Sequence, residues 1–187
     1  MSNEQGNRKI KSIGARNKQK GSHAERFYAH VFKKLGYEYC ITSRLGGRIY
    51  DNAGIDLMNI PYNVQIKAGT QKNISPGKIL FNIDNQIKAL FPETSEIRKY
   101  PIILIHRPLP FSSNTDEDVV YYTYEQHLKF RKINPELRYD TRKQRRGMYN
   151  NEYGTIVSVS FEVFKNLILK EDVIYNKQAA SSGIQEQ

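Results

Sequence analysis

Apolar residues recur at three- and four-residue spacing along residues 22–36, which indicates an amphipathic helix with one buried face. This stripe consists of Ala24, Phe27, Tyr28, Val31, Phe32 and Leu35. Ser22 suits the N-cap position, and Gly36 suits the position just past the C-terminus. The spacing therefore predicts a first helix that begins at Ser22 and ends before Gly36.

Shorter patterns predict the remaining elements. Runs rich in aromatic, β-branched or continuous apolar residues predict strands at 37–42, 55–58, 64–68, 100–106, 119–124 and 155–160. Further helices are predicted at 84–91, 125–132 and 161–169, with loops at 43–54, 69–78, 108–118 and 133–154. The continuous apolar run at 102–105 indicates an interior strand, parallel to its neighbour after a helical crossover. The order of helix, three strands, helix and strand predicts an α/β domain with a central mixed β-sheet flanked by helices.

The chain of 187 residues is the length of one domain with a sizeable core. Residues 1–20 are polar and basic and are expected to form a flexible N-terminal arm. Residues 21–175 form the predicted single domain, in which the basic, aperiodic stretch at about 133–154 is an insertion or flap. Residues 176–187 are predicted to be a frayed C-terminal tail.

Residues 55–68 hold a possible site. Two apolar runs flank Ile60-Pro61, which predicts a tight turn between two strands. In that register Asp56 lies opposite Gln65, and Lys67 follows two residues later on the same face. Val64, Ile66 and Ala68 take the other face, which can be buried. The predicted hairpin therefore gathers a carboxylate, an amide and an amine on one side.

Composition narrows the function classes. Hydrophobic residues make up 39% of the chain and form no run long enough for a membrane span. The polar N-terminus carries no secretory signal pattern, and a cytoplasmic protein is expected. Cys40 is the single cysteine, so a disulfide framework and a thiolate metal cluster are excluded. A buried, inert thiol is the expected state of Cys40.

Basic charge is concentrated in two segments. Residues 1–20 carry a net charge of +5 and residues 126–149 carry +6, while the whole chain carries +10. Such local charge favours binding to the phosphate backbone of DNA, with two solvated segments as the alternative. Neither segment has the apolar face of a membrane-surface helix. The candidate DNA-binding residues are Arg8, Lys9, Lys11, Arg16, Lys18, Lys20, Arg44, Arg48, Arg142, Lys143, Arg145 and Arg146.

An acidic residue in the first helix, Glu25, could converge with the face that holds Asp56 and Lys67. Oxygen ligands of this kind suit Mg²⁺ or Mn²⁺, which activate a water and neutralise phosphate charge. A nearby lysine can stabilise the transition state. Each residue also has a structural alternative. Ser22-x-x-Glu25 matches a capping box, and Asp56 with Lys67 could be an exposed ion pair.

Five short motifs in this order resemble the archaeal-type Holliday junction resolvases of the PD-(D/E)xK nuclease superfamily. They are Lys20-Gly21-Ser22-His23-Ala24-Glu25-Arg26, Leu35-Gly36-Tyr37, Ser43-Arg44-Leu45-Gly46-Gly47, Gly54-Ile55-Asp56-Leu57 and Val64-Gln65-Ile66-Lys67, within residues 18–107. The resemblance implies a restriction-endonuclease-like core and Mg²⁺-dependent cleavage of DNA. It implies Glu25, Asp56 and Gln65 as metal ligands, Lys67 as the catalytic lysine, and Ser43 as a contributor to activity.

Two positions depart from the family pattern. Gln65 stands where the family usually has Glu, which removes one negative charge from the site, and Ile55 stands where it has Pro. The expected function is a metal-dependent DNA endonuclease that resolves branched DNA as a homodimer, since a symmetric junction needs two nicks. The alternatives are another nuclease of the superfamily, restriction-like or transposon-end-cleaving, and a catalytically silent DNA-binding module.

Overall fold

The computed structural model describes residues 13–70, 74–133 and 145–168. The helices are α1 (Ile13–Lys34), α2 (Ser43–Gly46), α3 (Arg48–Asn52), α4 (Pro76–Leu90), α5 (Tyr124–Ile133) and α6 (161–168), with a 3₁₀ turn at Glu96–Arg98. The strands are β1 (Ile41–Thr42), β2 (Leu57–Met58), β3 (Asn63–Ala68), β4 (Ile102–Arg107), β5 (Val119–Thr123), β6 (Arg145–Asn151) and β7 (Gly154–Ser160).

A five-stranded mixed sheet forms the centre of the molecule, in the order β3-β4-β5-β7-β6. Strand β3 is parallel to β4, and the other neighbouring pairs are antiparallel. Strands β1 and β2 form a separate two-stranded antiparallel sheet. The predicted α/β class and mixed sheet are confirmed. Strand β4 lies inside the sheet and runs parallel to β3 after α4, as its continuous apolar run predicted.

Helices cover both faces of the sheet. Apolar residues of α1 and α6, such as Phe32 and Phe164, pack with Val64 and Ile103 in the larger core. On the opposite face, Leu80 of α4 packs against Leu104 in a smaller cluster. Alternation along the strands explains this division, because successive side chains point to opposite faces. No helix of the described ranges combines the length and the apolarity that crossing a membrane would require.

The predicted hairpin between residues 55–58 and 64–68 is wrong as a strand pair. Strand β2 pairs with β1 instead. The segment that precedes β2 forms hydrogen bonds to β3 through Asp56. The Asp56 backbone N–H donates to the Val64 carbonyl at 2.7 Å, and its Oδ2 accepts the Ile66 N–H at 2.6 Å. The Asp56 carboxylate thus accepts a hydrogen bond that a backbone carbonyl would accept in a regular β-sheet. The predicted faces still hold, since Val64 and Ile66 are buried while Gln65 is partly exposed.

The first helix begins earlier than predicted. Helix α1 starts at Ile13, so Ser22 lies inside it and is not an N-cap. The Ser22 hydroxyl accepts a hydrogen bond from Arg26 at 2.9 Å, and the predicted capping box with Glu25 is wrong. The residues before Ser22 include good helix formers, which extend the helix into the predicted arm. Residues 1–12 of that arm lie outside the described ranges.

Other boundaries also shift. The strand predicted at 37–42 is reduced to β1, and the loop predicted at 43–54 contains α2 and α3. Helix α4 starts at Pro76 and not at 84, because proline suits the first helical turn. Part of the predicted flap forms β6, which pairs with β7 as an antiparallel hairpin. Residues 134–144 of that flap and the predicted tail at 176–187 lie outside the described ranges.

A polar network lies under α1 that the sequence patterns did not indicate. The fully buried guanidinium of Arg107 donates to Asp118 Oδ2 at 2.5 Å, and the Tyr28 hydroxyl donates to the same oxygen at 2.5 Å. The guanidinium carbon also lies 3.7 Å from the centre of the Phe27 ring. The ion pair and the aromatic contact compensate the charge of a buried arginine.

Candidate functional site

A polar pocket of about 450 Å³ lies at the carboxyl end of β3, between that strand and α1. The residues that line it are Asn17, Lys18, Lys20, Gly21, Glu25, Arg44, Asp56, Ile66, Lys67, Ala68, Gly69 and Thr70. We call this the β3 pocket. It combines two carboxylates with four basic side chains that are widely separated in sequence.

Three predicted site residues enter this pocket from three separate segments. Glu25 comes from α1, Asp56 from the extended segment before β2, and Lys67 from β3. Helix α1 packs across β3 because its apolar stripe covers Val64 and Ile66. That packing brings Glu25, at the edge of the stripe, beside the strand. The convergence expected from the sequence is therefore present for these three side chains.

Arg44 forms a bidentate ion pair with Glu25. The guanidinium Nε donates to Glu25 Oε2 at 2.7 Å, and Nη2 donates to Oε1 at 2.8 Å. The Glu25 side chain is only 8% exposed, whereas that of Arg44 is 40% exposed. A two-pronged arrangement of this kind is among the stronger side-chain pairs in proteins. Both oxygens of the Glu25 carboxylate are therefore engaged by Arg44 in this state.

Asp56 has a carboxyl group that is only partly stabilised as an anion. Burial raises the pKa of Asp56 to about 7, and the neighbouring charges of Glu25 and Asp51 also raise it. The Ile66 N–H bond and the charge of Lys67 act in the opposite direction. Removal from water dominates here, as expected for a buried carboxyl. A cation placed beside Asp56 would favour its ionised form.

Gln65 lies next to the β3 pocket but does not line it. It lines a smaller recess of about 290 Å³ beside α4, together with Asp51, Asn52, Ala53, Gly54, Lys67, Ile79, Asn82, Ile83 and Gln86. We call this the α4 recess. Lys67 lines both cavities. The structure therefore brings together Glu25, Asp56 and Lys67, with Gln65 in the adjoining space.

Ser43 does not line the β3 pocket, but it contacts the backbone of Asp56. It is buried, and its backbone N–H donates to the Asp56 carbonyl at 2.9 Å. The Ser43 hydroxyl donates to Asp51 Oδ1 at 3.3 Å. Sequence reasoning missed Asp51, whose only signal was an acidic residue between the Gly46-Gly47 pair and Asp56. These contacts fix the backbone position of Asp56 without placing the serine in the β3 pocket.

The predicted DNA-binding residues fall into three groups. Lys18, Lys20 and Arg44 line the β3 pocket, where Arg44 is paired with Glu25. Arg16 on α1 and Arg48 at the start of α3 are exposed. The others fall outside the part of the chain whose side chains are described, and they are Arg8, Lys9, Lys11, Arg142, Lys143, Arg145 and Arg146.

The oxygen donors of the β3 pocket fit a divalent cation that keeps most of its waters. Residues 13–70, 74–133 and 145–168 contain no group of three His, Cys, Asp or Glu side chains that could hold a metal. Glu25 and Asp56 are nevertheless two hard oxygen donors in one polar pocket. Mg²⁺ commonly binds one or two carboxylates and completes its shell with waters and substrate phosphates. Two carboxylates fit that mode, provided that Arg44 releases at least one oxygen of Glu25.

Comparison with known proteins found no matching family model, no matching curated protein and no matching solved structure. The fold and the site define the protein as an α/β domain with a five-stranded mixed sheet and a polar, mixed-charge pocket at the end of β3.

Proposed function

We propose that this protein is a metal-dependent DNA endonuclease that hydrolyses phosphodiester bonds in branched DNA, acting as a homodimer. The observation that carries the proposal is that Glu25, Asp56 and Lys67 line a single pocket. Two carboxylates and a lysine can support metal-assisted cleavage of a phosphodiester, and basic residues on the same pocket suit a polyanion.

The order of elements supports the same function. Helix α1 is followed by β1, β2 and β3, then by α4 and by β4 parallel to β3. A mixed sheet flanked by helices, with acidic residues and a lysine at one end of a strand, is what the resemblance to PD-(D/E)xK nucleases implies. We propose a restriction-endonuclease-like core on this basis.

Each side chain takes a defined role in the proposed reaction. Glu25 and Asp56 would hold Mg²⁺ or Mn²⁺, which when bound supplies an activated water and neutralises charge on the phosphate. Lys67 donates a hydrogen bond to the phosphate oxygens as charge develops there. Lys18 and Lys20 contact neighbouring phosphates and orient the strand across the pocket.

A second candidate function is DNA binding without cleavage. Two observations favour it: Arg44 engages both oxygens of Glu25, and the neutral Gln65 lines a different cavity. A permanently clamped Glu25 would leave Asp56 as the single available carboxylate in the β3 pocket. The basic residues would then hold DNA with no hydrolysis.

Labelled four-way junction, flap and linear duplex DNA separate these functions. We expect wild-type protein to nick the junction in the presence of Mg²⁺ or Mn²⁺ and to be inactive in EDTA. The Asp56→Asn variant, purified in parallel, should bind the junction and leave it intact. Binding without nicking at any metal concentration would favour the second candidate. Equal nicking by the variant would contradict the proposed site.

A further inference from the structure

The α4 recess carries chemistry that the proposed cleavage reaction does not use. Its lining includes four carboxamides, the Asp51 carboxylate and apolar side chains, and the carboxamides belong to Asn52, Gln65, Asn82 and Gln86. Ile83 is one of the apolar side chains and is 3% exposed. Apolar contacts combined with a few convergent polar groups are usual in a site for an organic ring.

The carboxamides converge because of helix and strand geometry. Asn82 and Gln86 are four residues apart on α4 and therefore lie on one helix face. Gln65 reaches the same recess from β3, and the lack of a side chain at Gly54 leaves room for its amide. A Cβ at that glycine would lie only 3.0 Å from Gln65 Nε2.

These amides are available to a ligand. Among the described residues, the side chains of Gln65, Asn82 and Gln86 make no hydrogen bond to the rest of the protein. Each carboxamide offers both a donor and an acceptor, whereas a carboxylate offers acceptors alone. A donor beside an acceptor matches the edge of a nucleobase, and Asn and Gln pair best with adenine.

The recess adjoins the β3 pocket through Lys67, which lines both cavities. A nucleotide whose phosphate lies at Lys67 could therefore place its own or the neighbouring base in the α4 recess. A volume of about 290 Å³ suits one unstacked base and not a longer segment. Enzymes that read such a base use hydrogen bonds to its edge and contacts to its face.

We propose that the α4 recess binds one unpaired nucleobase of the DNA substrate, preferentially adenine, beside the phosphate at Lys67. This inference rests on the proposed function, since it takes DNA as the substrate. It also explains why Gln65 is an amide: its role is to contact the base and not to bind the metal. Branched DNA interrupts stacking where strands exchange, which lowers the cost of unpairing a base at that point.

The test compares two variants of α4 with wild-type protein on junctions that differ at a single base. Four-way junctions are prepared with adenine, each other base, or an abasic residue at each position near the branch point. The Asn82→Ala/Gln86→Ala double variant removes the two amides that α4 contributes to the recess, and Asn85→Ala removes an exposed amide of α4 that does not line it. Binding is measured by fluorescence anisotropy without divalent cations, and nicking is measured with Mg²⁺.

In wild-type protein, and equally in Asn85→Ala, an abasic residue at one position should weaken binding about tenfold, within the range for one bidentate base contact. In the double variant the same DNA change should have a clearly smaller effect, since two of the recess amides are already absent. An equal abasic effect in wild type and double variant would overturn the recess proposal. So would the absence of any effect of abasic residues on wild-type binding.

The endonuclease and the base-binding recess fail in different ways. Wild-type protein that shows the position-specific abasic effect but never nicks DNA contradicts the endonuclease and supports the recess. Nicking that is indifferent to every abasic position supports the endonuclease and overturns the recess. Protein that does not bind junction DNA contradicts both.

Discussion

Arg44 pairs with Glu25 in the lining of the β3 pocket and donates to both of its carboxylate oxygens, at 2.7 and 2.8 Å. The guanidinium therefore occupies the space next to Glu25 that a divalent cation would need. The carboxylate is buried while the arginine is partly exposed, so Arg44 is the partner that can move away into solvent. This relationship makes Arg44 a competitor of the metal in the proposed site.

Replacing Arg44 should therefore strengthen metal binding. We expect Arg44→Gln to bind Mn²⁺ about fivefold more tightly than wild type, because loss of a partly exposed ion pair of about 1 kcal/mol frees Glu25. Titration followed by Mn²⁺ electron paramagnetic resonance measures this. Arg48→Gln, an exposed arginine outside the pocket, is the matched control. Weaker binding in Arg44→Gln would mean that Arg44 organises the site.

Lys67 should act on the chemical step. We expect Lys67→Ala to lower the single-turnover nicking rate by about 10²–10³, as for the loss of one preorganised transition-state donor. Junction affinity should change little, because the other basic residues that we propose as backbone contacts remain in this variant. Lys78→Ala removes an exposed lysine of α4 that lines neither cavity and should leave the rate unchanged. A defect confined to affinity would assign Lys67 to phosphate binding alone.

The sequence predicted those parts of the fold that depend on local patterns. Strands β4, β5 and β7 appear where continuous apolar or β-branched runs place them, and α/β architecture follows from their order. Helix starts were harder to predict, since residues 13–21 have no apolar stripe and include the poor helix formers Gly14 and Gly21. The pairing of β2 with β1 depends on contacts between distant segments, which no local pattern encodes.

The sequence also predicted part of the candidate site. Motif order indicated Glu25, Asp56 and Lys67, and these three residues do share a pocket. The position of Gln65 in a separate cavity was not predictable, because alternation fixes the face of a strand and not which cavity each side chain reaches. The ion pair between Arg44 and Glu25 was not predictable either, because it depends on the rotamers of both side chains.

Lys18 and Lys20 should contribute to the salt dependence of DNA binding. Both lie on α1 and line the β3 pocket. Substituting each by Gln should reduce the slope of log K against log salt by about 0.9 for each phosphate that the variant no longer neutralises. Lys88→Gln and Lys99→Gln, which remove exposed lysines paired with Asp84 and Glu96, provide the comparison. An unchanged slope in the α1 variants would show that Lys18 and Lys20 do not contact DNA phosphates.

The buried network of Arg107, Asp118 and Tyr28 should matter for stability. Asp118→Ala leaves the fully buried Arg107 without its carboxylate and should destabilise the fold by about 3–5 kcal/mol. Urea unfolding followed by circular dichroism gives the free energy of unfolding. Glu162→Ala breaks the pair with Lys165, in which Glu162 is exposed, and should lower stability by less than about 1 kcal/mol. Similar effects of the two substitutions would contradict the role of the network.

Cys40 should be unreactive in the folded protein. Its side chain is fully buried, and that burial raises the pKa of the thiol to about 11. Because the thiolate is the reactive form, modification by a thiol reagent at pH 8 should be slow and should accelerate only as the pH approaches that value. Since the folded pKa lies above the usual value, unfolded chains ionise first and stability should decline above about pH 9. Ser113→Cys in a Cys40→Ala background provides an exposed thiol for comparison. Equal rates for the two thiols at pH 8 would show that the core around β1 opens readily, whereas labelling of Cys40 only in urea would confirm its burial.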